Sequence, residues 1–209
     1  MTTIRRLTDS CLIVTTDAGP TLLDPGFHTF ESGQIDLETI GDISRVLVTH
    51  EHGDHVKPDF LKWLIDRRSD IVVYSNQAVA DLLDGHGIEV TTADPVGVSS
   101  EDVLHEMTPT GAQPPNRAYT IDGVLTHPGD SYQPTTSAPV LALPLLVPWG
   151  STTRSVEFAR RLAPSRVIPI HDFYLNEEGR RFIYGMAKNV LVQSGIEVIT
   201  LNWGETATI

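Results

Sequence analysis

Cysteine is almost absent from this chain: Cys11 is the only one in 209 residues. No internal disulfide can form, so the fold must rest on apolar burial and polar contacts, and a reducing, cytoplasmic setting is expected. Cys11 stands in the apolar run Cys11–Val14, where a small buried residue is the expected role. Long apolar runs are missing too. The longest, Val140–Trp149, is interrupted by Pro144 and Pro148 and is too short to span a bilayer. The opening stretch "MTTIRRLTDSCLIV" carries no apolar segment ahead of a small-residue cleavage site, so no signal peptide is expected. Basic runs are the third absence. There are 15 Lys and Arg against 27 Asp and Glu, a formal charge of −12, and basic residues gather only in pairs such as Arg5–Arg6 and Arg67–Arg68. Duplex binding works through clustered cations that neutralise phosphates. Neither nucleic acid nor membrane is therefore expected as a partner, while self-association into a homo-oligomer is compatible with the sequence.

What is present is a pattern of strands and helices. Hydrophobic residues make up 40% of the chain, enough for a sizeable core at this length. Strands are expected at Ile4–Leu7, Cys11–Thr15, Thr21–Leu23 and Arg45–Thr49. "KPDFLKWLIDR" places Pro58 at the start of a one-sided helix, and "NQAVADLLDGHG" reads as a second helix closed by Gly85 and Gly87. "DIVVYS" between them reads as a strand, and residues 88–127 return to a β pattern. Strands are expected there at Glu89–Thr91, Asp102–Met107, Arg117–Ile121 and Val124–His127, with Asp122–Gly123 as a hairpin turn. The last third alternates strand Val140–Leu143, helix Ser151–Leu162, strand Arg166–Ile170, helix Asn176–Val192 and strand Glu197–Leu201. The order predicts an α/β (α+β) chain of two packed sheets with helices on both outer faces, as one domain over residues 1–209.

Chemistry concentrates in "VTHEHGDH", residues 48–55. If Thr49 ends a strand, His50 and His52 leave on the same side, and Gly53 permits a reversal that swings Asp54 and His55 to a neighbouring point. Two imidazoles can hold one divalent ion while Asp54 and His55 serve a second, a donor set suited to zinc, iron, manganese or nickel rather than calcium or magnesium. One loop cannot complete such a centre. "LTHPGDS" offers His127 and Asp130, "VIPIHDFY" offers His171 at a strand end, and "DVLHEM" offers His105. His28 and His86 read as surface residues, and Trp149 and Trp203 as packing residues. Asp172, Tyr174, Ser131 and Tyr132 flank the proposed ligands and are candidates to meet substrate.

In their order, "LLDPG", "THEHGDH", "HPGDS" and "PIHD" resemble the metallo-β-lactamase fold superfamily, and within it an ascorbate-6-phosphate-lactonase-like branch of metal-dependent hydrolases. The resemblance covers nearly the whole chain and implies a four-layer αββα sandwich with a dinuclear site on one edge. It implies that His50 and His52 ligate the first metal, Asp54, His55 and His171 the second, and that Asp130 bridges. The family supplies a third histidine to the first metal from a segment ahead of the bridging aspartate. His105 is the favoured match, with His127 its competitor; the one not used would lie behind the ligands or face substrate. Asp24 of "LLDPG" resembles the family's aspartate that orients an imidazole, though an aspartate opening a Pro-Gly turn needs no such role. The implied cofactor is a pair of divalent transition ions, zinc first, with manganese or iron as alternatives. The implied reaction is hydrolysis of a small ester, lactone or phosphodiester by a metal-activated water, with Asp54 as the catalytic base. A stand-alone iron oxygenase and a non-catalytic ligand-binding member of the same fold are the competing readings.

Overall fold

A computed structural model describes all residues, Met1–Ile209. The first sheet is ordered β13-β1-β2-β3-β4-β5-β6. Its strands are β1 (Thr3–Arg6), β2 (Leu12–Thr16), β3 (Gly19–Leu23), β4 (Arg45–Leu47), β5 (Val72–Tyr74), β6 (Val90–Thr91) and β13 (Thr206–Thr208). The second is ordered β12-β11-β10-β9-β8-β7. It comprises β7 (Val98–Leu104), β8 (Pro115–Ile121), β9 (Leu125–His127), β10 (Val140–Pro144), β11 (Arg166–Ile170) and β12 (Glu197–Val198). In each sheet an antiparallel meander passes into parallel strands. β3 to β6 run parallel in the first, and β9 to β12 in the second.

Period-two alternation sorts the strand residues into three cores. Leu12 and Val14 of β2, Leu23 and Leu47 face inward against Tyr119, Ile121, Val140, Ala142, Ile168 and Ile170 of the other sheet. The intervening Ile13, Leu22, Val46 and Val73 face outward and are covered by Phe60, Leu61 and Leu64 of α2 (Pro58–Arg67) and by Val79 and Leu83 of α3 (Gln77–Asp84). On the far side, Leu141, Leu143 and Val167 receive Val156, Phe158 and Ala159 of α4 (Thr152–Leu162) and Ala187 and Leu191 of α5 (Glu177–Leu191). The result is the expected four-layer αββα sandwich. Asn76, Ser151 and Asn176 cap α3, α4 and α5 by accepting from Val79, Arg154 and Gly179 amides. Asp122 and Gly123 both adopt positive φ in the turn between β8 and β9, as the Asp-Gly pair predicts.

Several expectations need correction. β4 stops at Leu47, because Val48 to Val56 turn away to build the site; Val48 keeps only one amide bond, to Tyr74 O. Gly53 does not adopt positive φ; His55 and Val56 amides instead return to His52 O in a helical turn. The strand expected at Asp102–Met107 runs earlier, over Val98–Leu104, so that His105 follows its end. The strand expected to reach Leu201 ends at Val198, and neither the short α1 (Phe27–Glu31) nor β13 was foreseen. No helix is long and apolar enough to cross a membrane.

Candidate metal centre

Every candidate ligand lies at a strand exit on one rim between the sheets. His50 to His55 follow β4, His105 follows β7, Asp130 follows β9 and His171 follows β11. Close backbone approach makes the rim possible. Gly26, just after the Asp24-Pro25 turn, lies so near the 53–55 turn that a Cβ there would stand 1.7 Å from Asp54 O. Gly129, at φ 59°, would put a Cβ 2.2 Å from Asn116 Oδ1 and 2.8 Å from Thr49 Cβ. Both positions therefore require glycine.

The loop after β4 is fixed from three sides. Val48 O accepts from Ser75 Oγ at 2.7 Å and from Tyr119 Oη across the sandwich at 3.2 Å. Thr49 O accepts from the Arg117 amide at 2.9 Å and Asn76 Nδ2 at 3.2 Å. Asp24, fully buried, accepts from the Thr49 amide at 2.8 Å and Thr49 Oγ1 at 2.9 Å, and from His55 Nδ1 at 2.7 Å. Asp24 thus both opens its Pro-Gly turn, at φ 48°, and orients an imidazole. Thr49 Oγ1, having given its proton to Asp24, receives His50 Nδ1–H at 3.0 Å. His105 Nδ1 donates to Glu106 O. These bonds leave Nε2 of His50, His55 and His105 facing Asp130.

Two donor sets result. Ligand atoms of His50, His52, His105 and Asp130 lie within 4.8 Å of one another, and so do those of Asp54, His55, Asp130 and His171. Asp130 belongs to both. Its Oδ1 stands 3.1 Å from His55 Nε2, and its Oδ2 stands 3.2 Å from both His105 Nε2 and His171 Nε2. Yet His55 Nε2, His105 Nε2 and Asp130 Oδ1 are buried without a directed hydrogen bond. Each such orphan costs about 1–3 kcal/mol. One orphaned nitrogen in each donor set, with the orphaned oxygen of the carboxylate they share, fits divalent cations, as does the nitrogen-and-carboxylate chemistry of the donors.

Charge supports the same fit. Burial, with the neighbouring His55 charge, pushes His50 well below the ordinary imidazole range, and burial with His105 lowers His52. Burial opposes protonation of His55 and His171 as well, but Asp130 and, respectively, Asp24 and Asp9 overcome it; His171 rises to about 9 and His55 well above its ordinary value. Asp130, which burial alone would raise, is held well below the carboxylate range by His171 and His55. A cation there would replace those imidazole protons.

His127 stands apart. Its Nε2 donates to Ser10 O at 2.9 Å and its Nδ1 accepts from the Gly129 amide at 3.2 Å, behind Asp24. Both ring nitrogens are engaged, so it is joined to neither donor set. Other readings are corrected outright. His28 is buried, stacked 3.8 Å from the Phe173 ring, because α1 folds it against the β11 exit. Trp149 does more than pack: its Nε1 donates to Asp130 Oδ2 at 2.8 Å and its ring stands 5.4 Å from that of His105. Asp172 is buried in an ion pair with Arg6, and Ser131 and Tyr132 are buried as well, so none of the three is a surface group. Tyr174 is exposed and stands edge-on to His28. Sequence reasoning also missed Asp9, buried beside His171; its place in the "LTDSC" turn after β1 on the same rim was the available signal.

A histidine–aspartate metal centre on the rim of an αββα sandwich is the class that fold and site define. The chain belongs to the metallo-β-lactamase superfamily, whose family model matches residues 4–171. It is 28% identical over 191 residues to the protein Rv0786c of Mycobacterium tuberculosis, covering 84% of this chain and 86% of that one. A protein from Parabacteroides distasonis assigned as a metal-dependent hydrolase shares the fold at a TM-score of 0.74 and 24% identity, over 95% of this chain and 92% of its own. Igni18, a metallo hydrolase from Ignicoccus hospitalis, does so at 0.73 and 18% identity, over 99% and 97%.

Proposed function

We propose that the chain, acting as one domain, is a metal-dependent hydrolase with two cation sites. His50, His52, His105 and Asp130 form one, and Asp54, His55, Asp130 and His171 the other. The observation that carries this reading is the sharing of Asp130 between two four-donor sets. When bound, divalent transition ions, zinc foremost, supply Lewis acidity and a water acidic enough to act at neutral pH. The protein's own groups do the rest. Asp130, with Oδ1 directed to His55 of one half and Oδ2 to His105 of the other, ties the two halves together. Asp54 is the ligand carboxylate with the most open side chain, 24% exposed against 2% for Asp130. It is the group able to meet an incoming water, orient it and take its proton. Trp149, whose ring stands 6.1 Å from that of His171, and exposed Tyr174, edge-on to His28, are the aromatic groups that would border a small substrate. A small ester, lactone or phosphodiester is the substrate class; the sequence motifs favour testing sugar-phosphate lactones among the first. The acidic surface favours neither nucleic acid nor an anionic membrane as partner.

Elemental analysis of protein purified without chelator is expected to give about two zinc or manganese ions per chain. A panel of lactones, esters and phosphodiesters is expected to show hydrolysis that Asp54→Asn lowers by about 100-fold or more, as removal of a general base does. Absence of bound metal would overturn the proposal, and iron with oxygen consumption would replace hydrolysis by oxygenase chemistry.

A further inference from the structure

The imidazoles of the two donor sets are backed differently. In the His50–His52–His105 set, Nδ1 meets a neutral group in two rings, Thr49 Oγ1 for His50 and the Glu106 carbonyl for His105, while Nδ1 of His52 faces His50 Nε2 at 3.1 Å within the set itself. In the other set, each imidazole has a buried carboxylate behind it. Asp24 stands behind His55 at 2.7 Å, and Asp9 Oδ1 stands 3.7 Å from His171 Nδ1.

Asp9 holds that place at evident cost. It is a non-glycine residue at φ 54°, 2% exposed, and its Oδ2 has no hydrogen-bond partner. Strain and an orphaned oxygen at one residue mark a functional position rather than a packing solution. Its other groups grip the exit of β11. The Asp9 carbonyl accepts from the His171 amide at 3.2 Å and Oδ1 from the Phe173 amide at 3.1 Å. On the far side, Oδ2 faces His28 Nε2 at 4.0 Å, an atom that is itself buried and unpartnered, with the His28 ring wedged on Phe173. A carboxylate held between two imidazoles fixes the ring orientation of the one that ligates and makes it more basic.

We infer that Asp9 is a positioning residue for His171 and that Asp9 and Asp24 together make the Asp54–His55–His171 half the tighter of two unequal cation sites. The inference rests on the metal-centre reading above. It assigns the first equivalent of cation to the half that carries the partly exposed Asp54, and the second to the half built from three histidines.

Zinc titration of the full chain after dialysis against a chelator, with a chromophoric competitor, tests it. The wild type is expected to fill in two steps. Asp9→Asn, which keeps shape and the Phe173 contact, is expected to weaken the tighter step by about 10–100-fold and leave the weaker one unchanged. His52→Ala is expected to remove the weaker step alone, and it tests the assignment even if Asp9→Asn fails to fold. Loss of the tight step in His52→Ala, or an Asp9→Asn protein with both steps unaltered or equally weakened, would overturn the inference while leaving the metal centre standing. A wild type that binds no zinc would overturn both.

Discussion

At the residue scale, the two buried histidines His105 and His127 separate by what their nitrogens already do. His105 commits Nδ1 to Glu106 O and leaves Nε2 without a directed partner, whereas His127 spends both nitrogens on backbone groups. A ring with no free lone pair directed at the centre holds the fold, not the cation. His127→Ala is therefore expected to retain its metal and to lose about 1–3 kcal/mol of stability. His105→Ala is expected to lose about half of the bound metal. Metal content with denaturant unfolding of both variants measures this, and metal loss confined to His127→Ala would reverse the assignment.

At the scale of elements, the β1 exit and the β11 exit are tied together beneath the rim. Arg6, 1% exposed, donates to Asp172, to Tyr184 Oη at 3.0 Å and to Leu201 O at 2.8 Å. Tyr184 of α5 in turn donates to Asp172. Asp172 directly follows His171, so the network sets the path of the chain through the centre. Replacing Arg6 by methionine leaves buried Asp172 with only Arg180, whose Nε stands 4.0 Å away, and a loss of about 3–5 kcal/mol is expected in chemical denaturation. A change under about 1 kcal/mol, the scale of an exposed pair, would show that the network is dispensable.

For the whole molecule, the centre draws donors from both sheets, so cation binding and the stability of the sandwich are linked. Chelator-treated protein is expected to melt at a lower temperature than the zinc-loaded form. The pH dependence of the treated protein follows from His171. Burial disfavours its charge, but Asp130 and Asp9 raise it to about 9, above the ordinary 6.5. A pKa raised on folding contributes stability that is complete below pH 6.5 and fades as pH climbs through about 9. Between those values the treated protein should lose melting temperature and zinc affinity should rise, because the leaving protons no longer compete. Melting curves across that range, with and without zinc, check both signs.

The αββα order was legible because it is written locally. Short apolar runs such as "CLIV", "RVLV" and "VLAL" and one-sided helices such as "KPDFLKWLIDR" need only neighbouring residues to be read. The cluster His50–His55, with Asp130 and His171 at later strand ends, was legible for the same reason: ligand-type residues at strand exits collect on one rim whatever the loops do. The short β13 and α1 were not, since the first is held by its partner β1 and the second by its contact with the Gly53 turn. Nor could spacing choose between His105 and His127, or reveal Asp9, His28 and Trp149. Those roles depend on which nitrogen or oxygen meets which partner, over separations in the chain of up to 162 residues between Asp9 and His171. Sequence by itself determined the layers and most of the side chains gathered on the rim; only the packing of the two sheets decided where each of them points and which carboxylate stands behind it, because hydrogen-bond direction is a property of assembled surfaces.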